Sequence, residues 1–502
     1  MTYLSALMFL AMLFAVMPAA FAQQAQERLN IGWAQVDITP QREAALAGMT
    51  SLRLASTVES PLMAAALAIE APYQKDGAAT TILVGCDLRG INRKMLAAIR
   101  ESLAANHPQI DPHWIIVNST HSHNAPPLGA FGLPVEAMLE PEYVAFAAPR
   151  IADAIAQAWN NRKPGGISFG LSHAVVGHNR IMAFDDGKSK MSSRINDPHF
   201  SHVEGYEDHA VNLLYTWDAQ GKVTGVVVNA SVTAQTMQSQ SVISADFWHD
   251  TRIELRKKLG ENLFVLPQCA ASGDQMSAAQ VDRRAEGRME KLMGLHRKQM
   301  IARRLTDAVM SIYPVMQANI EWSPVLKHHW EIVPLTRRQV SQQDVDDAHA
   351  DIAKFKPIFE KGLEELKANP SLIKDSKWVR PVTAAHRNVV RANKVIDRFA
   401  LQQTEPRFPV EGHTVRIGDM ALTTNPFEFY LDFGVQIKAR SKAVQTFVVQ
   451  MANGYEGYVP TARSVAGGAY GAVPASTEVG PEGGKDMVDW ALQSIDRLWE
   501  TP

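Results

Sequence analysis

The chain has 502 residues, 46% hydrophobic and 20% charged, enough apolar mass for a large core and too much for a disordered chain. A net charge of −2 excludes the basic surface that a general nucleic-acid binder carries, so small or neutral partners are expected. With only two cysteines, Cys86 and Cys269, neither a disulfide scaffold nor a thiolate zinc site is available.

The first segment, "MTYLSALMFLAMLFAVMPAAFAQQAQ", is an apolar stretch closed by Ala20-Phe21-Ala22, although it lacks the usual early Lys or Arg. It predicts a secretory signal over residues 1–22 and a mature chain over 23–502, secreted or periplasmic. An uncleaved anchor is the alternative, but the A-x-A pattern runs straight into a polar stretch. No other segment approaches the ~18 consecutive apolar residues of a membrane span.

From Leu29 to about Asn229, β-rich runs alternate with helical ones. "AALAIEAP" and "TTILVGCDL" are followed by a helical "NRKMLAAIRESLAANH" and then by "HWIIVNSTHSH". This rhythm predicts a layered α/β domain with Cys86-Asp87 and two histidines at neighbouring strand ends, where such sheets gather ligands. "HAVNLLYTWD" and "KVTGVVVNASV", separated by "AQGK", predict a hairpin. A helix over "FWHDTRIELRKKLG" stopped by Gly260 and a strand over "NLFVLPQC" come next. Cys86 and Cys269 close two of these runs, leaving a bridge and a pair of buried thiols both open.

Residues 281 to about 313 and 341 to about 402 are rich in helix formers and charge, and are read as a helical insertion over about 281–402 with solvated faces. The last third returns to α/β: "MALTTNP", a helix over "FEFYLDFGVQIKARS", the strand "QTFVVQMAN", a Gly- and Tyr-rich loop and a closing amphipathic helix. Aromatic residues set between glycines mark that loop as site-lining.

The segment "NSTHSHNAPP" places His121 and His123 two residues apart. On an extended chain such residues share a face, so both can look into one site. By itself the pattern reads as one buried histidine and one surface histidine at the turn. In context, "GWAQVDITP", "STHSHNAPP", "HNRIM", "AASGDQMSA", "NPFEFYLDFG" and "GYEGYVPT" followed by "GGAY" resemble, in the same order, the motifs of the neutral, non-lysosomal ceramidase family over residues 31 to about 475. The resemblance implies a mixed-sheet α/β catalytic domain and the absence of that family's C-terminal β-sandwich.

Carried over position by position, it implies a zinc held by His121, Glu428 and Tyr458. It also implies His123 beside the metal, Arg180 on a polar substrate group, and Tyr470 on the substrate carbonyl. Two positions depart. Thr233 stands where the family has a second zinc histidine, and a hydroxyl is a poor zinc ligand; His249 could substitute only by folding into the site. Gly273-Asp274-Gln275 is followed by Met276, so the family's serine position is vacated and Ser277 would have to serve one residue later. Asp274 is kept and could orient or act as a base.

The function expected is an exported hydrolase of an amide, or an ester, in a small or lipid-like N-acyl substrate, zinc-assisted if the ligand set suffices. A metal-independent lyase or glycosidase acting on an acidic saccharide through Arg, His and Tyr is the alternative. A binding protein that has lost catalysis comes third.

Overall fold

The computed structural model describes residues 28–500 apart from 75–78, 127, 128, 130, 193 and 194. The predicted secretory signal lies outside the described residues. Among the described residues no helix is long and apolar enough to cross a membrane.

Eight strands form the main sheet: β1 (Leu29–Asp37), β2 (Met63–Ala71), β3 (Ala79–Cys86), β4 (Ile115–Ser119), β5 (Lys163–His173), β7 (Ala210–Asp218), β8 (Val223–Ala230) and β9 (Phe264–Cys269), with the two-residue β6 (His178–Asn179) outside it. Their spatial order is β9-β8-β7-β5-β1-β2-β3-β4. The two outer pairs, β3 with β4 and β8 with β9, are parallel, and the inner pairs are antiparallel. The predicted hairpin is β7–β8, turning at Gly221 with φ 76°.

Period-two alternation assigns each strand two buried faces. In β2, Ala64, Ala66 and Ala68 pack with α1 (Arg93–Asn106) and α2 (Glu140–Asn160), whereas Leu67 and Ile69 face a second sheet. Small residues on the helix side let the helices come close: a Cβ on Gly32 would lie 2.0 Å from the Ala158 carbonyl oxygen of α2.

A short β10 (Gln275–Met276) pairs with β6. The second sheet is β11 (Leu326–Thr336), β12 (Arg407–Ile417), β13 (Met420–Thr424) and β15 (Gln445–Val449), in that order, with β13 and β15 parallel. Leu326, Val415, Leu422 and Phe447 pack against the main sheet. The other face of the second sheet carries α8 (Leu431–Arg440) and α10 (Pro481–Trp499). The result is four layers: helices, eight-stranded sheet, four-stranded sheet, helices.

The expected helical insertion contracts. Within 281–402, α5 (Arg297–Ala318) packs its Ile301, Leu305 and Val309 into the main-sheet core, and β11 is an edge strand of the second sheet. Only α6 (Gln342–Ala368) and α7 (Ser376–Leu401) form a separate helical hairpin. Charge on α5 marked its solvent face correctly, but its apolar stripe binds it to the core. Helix α3 (Phe247–Leu259) does stop at Gly260, φ 113°. Its Arg252 forms a buried ion pair with Asp87, 2.7 Å, locking α3 to the end of β3. Cys86 and Cys269 are free, buried thiols, not a disulfide.

Candidate active site

Parallel pairing brings strand carboxyl ends together, and here three parallel pairs do so at one edge of the two sheets. Cys86 lies beside Ser119, Ala230 beside Cys269, and Thr424 beside Val449. Loops leaving these ends carry the polar residues, as expected where sheets open toward a ligand.

His121 lies beyond β4, and its backbone is left-handed, φ 61°. Such a conformation is costly for a non-glycine residue and persists only where surroundings enforce it. Here Thr120 N–H donates to the Cys86 carbonyl at 2.9 Å and Ser122 N–H to that of Leu88 at 3.1 Å. The two histidines therefore meet through a turn and not, as expected, through the face of an extended strand. His121 Nδ1–H donates to the Arg89 carbonyl, 2.8 Å, which leaves the Nε2 lone pair free. That Nε2 lies 3.2 Å from His123 Nε2 and 3.6 Å from Glu428 Oε2. His123 Nε2 is 2.8 Å from the Gln235 side-chain amide, and its ring rests on Gly48, where a Cβ would come within 2.1 Å of it.

Glu428 was expected on a helix. It lies instead on β14 (Glu428–Phe429), which pairs in parallel with β16 (Tyr458–Val459) so that Glu428 stands directly opposite Tyr458. Cross-strand partners share a face. Arg180, just past β6, donates from Nη2 to the Gly273 carbonyl at 2.9 Å and to the Tyr458 hydroxyl at 3.3 Å, and approaches Glu428 to 3.7 Å. Three further residues, which motif reading passed over, complete the cluster: Arg89, Tyr455 and Gln235. The Tyr455 hydroxyl donates to Glu428 Oε1 and accepts from Arg89 Nη2, and the Arg89 guanidinium lies 4.6 Å over the Tyr455 ring. Arg89 follows the apolar run of β3 and Tyr455 sits in the Gly- and Tyr-rich loop, so position at a strand end was the available signal.

Burial drives the His121 imidazole down to about 4 despite the pull of Glu428, and pushes His123 well below its ordinary value with help from its cationic neighbours. Burial alone would raise Glu428, but His121, Arg89, Arg180 and the Tyr455 hydroxyl together hold it below the usual range. Burial and Glu428 raise Tyr458, which keeps its hydroxyl proton. At neutral pH the cluster is thus two neutral imidazoles, one carboxylate and two guanidiniums.

The remaining candidates fall outside this centre or at its mouth. Asp274 accepts from Asn179 Nδ2 at 3.0 Å and from Leu431 N–H at 2.9 Å, and burial raises its pKa to about 6. Both its oxygens are occupied in clamping β6 and α8 to the loop. Ser277 follows β10 and makes no hydrogen bond to His121, His123 or Asp274, so no nucleophile–base pair forms there. Tyr470 is half-exposed at the mouth, its ring edge-on to Tyr458 and its hydroxyl accepting from Arg391 Nη1 of α7 at 3.0 Å. His249 is surrounded by Asp250, Glu59, Arg252 and Lys298, away from the cluster.

The donor set does not fit zinc. Thr233, in place of an imidazole, has a buried hydroxyl without a partner. Glu428 is already bonded by Tyr455 and flanked by Arg180 and by Arg89 at 4.0 Å. A divalent cation seated on His121 and Glu428 would stand against two guanidiniums, a strongly repulsive arrangement in a buried site. Among the described residues no group of three or more His, Cys, Asp or Glu is arranged to hold a metal.

The four-layer fold is that of the neutral ceramidases. The crystal structure of neutral ceramidase from Pseudomonas aeruginosa is similar with a TM-score of 0.64 and 16% identity, over 94% of this chain and 75% of that one. A ceramidase complexed with C2 is similar with a TM-score of 0.66 and 16% identity, over 94% and 76%. No protein-family profile and no curated protein sequence matches the chain.

Proposed function

We propose that this chain is an exported hydrolase that cleaves an acyl C–N bond, or the corresponding ester, in a small or lipid-like N-acyl substrate. The observation that carries the reading is the opposition, within one side-chain cluster, of proton acceptors and hydrogen-bond donors. His121 Nε2 and Glu428 Oε2, 3.6 Å apart, face Arg180 and the Tyr458 hydroxyl, themselves 3.3 Å apart.

The chemistry follows from that opposition. His121, its Nδ1–H held by the Arg89 carbonyl, takes a proton at Nε2 from a water molecule. The water oxygen bonds to the acyl carbon, and the carbonyl π electrons move to oxygen. Arg180 and Tyr458 stabilise that developing charge. Glu428 stabilises the imidazolium formed at His121. When the tetrahedral adduct collapses, the C–N bond breaks and the amine nitrogen receives the proton from His121, giving a carboxylic acid and an amine. His123, which accepts from the Gln235 amide at Nε2, stands beside His121 Nε2 at 3.2 Å and lines the site. No step passes through zinc, and none through Ser277.

Acyl release from a panel of N-acyl amides and esters, with and without chelator, tests this. The expected result is turnover that survives chelation. About one zinc per chain with loss of turnover on chelation overturns the metal-free route; no acyl release from any amide or ester overturns the hydrolase.

A further inference from the structure

The hydrolytic step uses the Arg89 carbonyl but leaves its guanidinium without a role. This residue sits at the carboxyl end of β3, and among the described residues the only hydrogen bond of its guanidinium is to the Tyr455 hydroxyl. Its Nε is buried with no partner, yet the side chain keeps 23% of its surface open. The ring of Tyr455 beneath it fixes the guanidinium plane. Further donors without acceptors are Arg180 Nε, which shares Glu428 with Arg89, the Tyr430 hydroxyl, and the hydroxyl of Thr233, next to Ala234 whose backbone bonds Thr120 and His123, each on a residue more than nine-tenths buried. Tyr430 stands edge-on to Tyr458, 6.4 Å between ring centroids.

Buried donors are ordinarily paired, so a concentration of unpaired ones marks a place completed by an acceptor-rich ligand. The charge count points the same way. Arg89 and Arg180 share one carboxylate, Glu428, at 4.0 and 3.7 Å, neither a tight pair. One positive charge is left over beside the acyl-binding centre.

We infer that the substrate carries a carboxylate close to its scissile bond, held by the open edge of Arg89, and that the substrate class is N-acyl amino acids. This rests on the hydrolase reading above. Glu428 reaches both His121 and the two guanidiniums, so a carboxylate on Arg89 would sit beside the residue that adjoins the base, which suits an α-amino acid better than a remote headgroup. The shared chemistry, a carboxylate on a guanidinium, could also come from the uronic acid of a sugar.

The test compares N-dodecanoylglycine with its neutral isostere N-dodecanoylglycinamide. The expected result is a kcat/KM preference for the carboxylate on the order of 10- to 100-fold, falling toward unity in Arg89→Gln and retained in part in Arg89→Lys. Equal rates on the two substrates in the unmodified protein overturn the inference without touching the hydrolase reading, and so does a preference unchanged in a folded Arg89→Gln. If neither amide is cleaved, thermal stabilisation of the unmodified protein decides the carboxylate independently of the hydrolase reading. A shift with N-dodecanoylglycine but not the glycinamide supports it. A shift with glucuronate alone keeps the carboxylate and overturns the amino-acid class. No shift with either carboxylate overturns both.

Discussion

Among the described residues, two buried histidine clusters differ in one respect. In the first, His121 presents an unused Nε2 lone pair, His123 Nδ1 has no partner, and Arg89, Arg180, Thr233 and Tyr430 keep unpaired donors. In the second, His328, His413 and Glu411 link β11 and β12 to α1 and β4. His328 Nδ1 contacts the Thr80 carbonyl at 3.2 Å, His328 Nε2 meets His413 Nδ1 at 3.0 Å, and His413 Nε2 meets Glu411 at 2.7 Å. Arg100 grips Glu411 through two hydrogen bonds, and Asn453 joins Glu411 to the backbone of β4. Every ring nitrogen there lies within hydrogen-bond distance of a polar neighbour. The same residue types thus make a staple where the polar groups are paired and the proposed reactive centre where several are left open.

The sharpest way to break this contrast is to remove the base. His121→Ala should lower kcat by about 10²- to 10⁴-fold while leaving the thermal midpoint within a few degrees. Unchanged turnover on every cleaved substrate would return the protein to a binding role. In the staple the expectation reverses. Glu411→Ala leaves the Arg100 guanidinium and a buried imidazole without their carboxylate and should cost about 3 kcal/mol in denaturant unfolding, with kcat/KM of the folded fraction unchanged. If turnover collapses and stability does not, the two clusters have been assigned the wrong way round.

pH separates them as well. Burial opposes ionisation of Glu411, but the hydrogen bonds from His413 and Arg100 outweigh it and hold the carboxylate well below its ordinary value. Its contribution is therefore present above the unfolded value of about 4.3 and is lost as pH falls through the folded value. The stability gap between the unmodified protein and Glu411→Ala should close below about pH 4. His121 has its pKa lowered to about 4, so its base form persists down to that pH. Activity should fall on the acid side near 4 and not near the ~6.5 of an ordinary imidazole. An acid limb at 6.5 would place the base elsewhere. The smallest effect is expected at the mouth: Tyr470→Phe removes the acceptor of Arg391 and should raise KM a few-fold, with kcat nearly unchanged.

Much of the architecture was legible because its signals are local. The two-faced apolar runs of β2, β3 and β8, the β7–β8 turn and the Gly260 stop each follow from a few adjacent residues. Helix α5 was read as part of a lobe because a charged face announces itself in sequence, whereas the partner of its apolar stripe does not. Glu428 was put on a helix because "FEFYLDFG" has a helical look; the chain spends Glu428–Phe429 pairing with Tyr458–Val459 before α8 begins at Leu431. Ser277 and Asp274 looked like chemistry from their neighbours in the chain, but Asp274 is taken up by Asn179 and Leu431.

By itself, then, the amino-acid order determined most of the strands and helices, their layered α/β rhythm, and that His121, His123, Glu428 and Tyr458 are candidates for one site. Only the tertiary structure decided their company. Arg89 meets Tyr455 and Glu428, residues more than 300 positions away, because parallel strands from two sheets end at the same edge. Local propensity cannot specify such meetings; they arise when burying two faces of each sheet leaves one arrangement of strand ends, and the side chains there must satisfy one another or wait for a ligand.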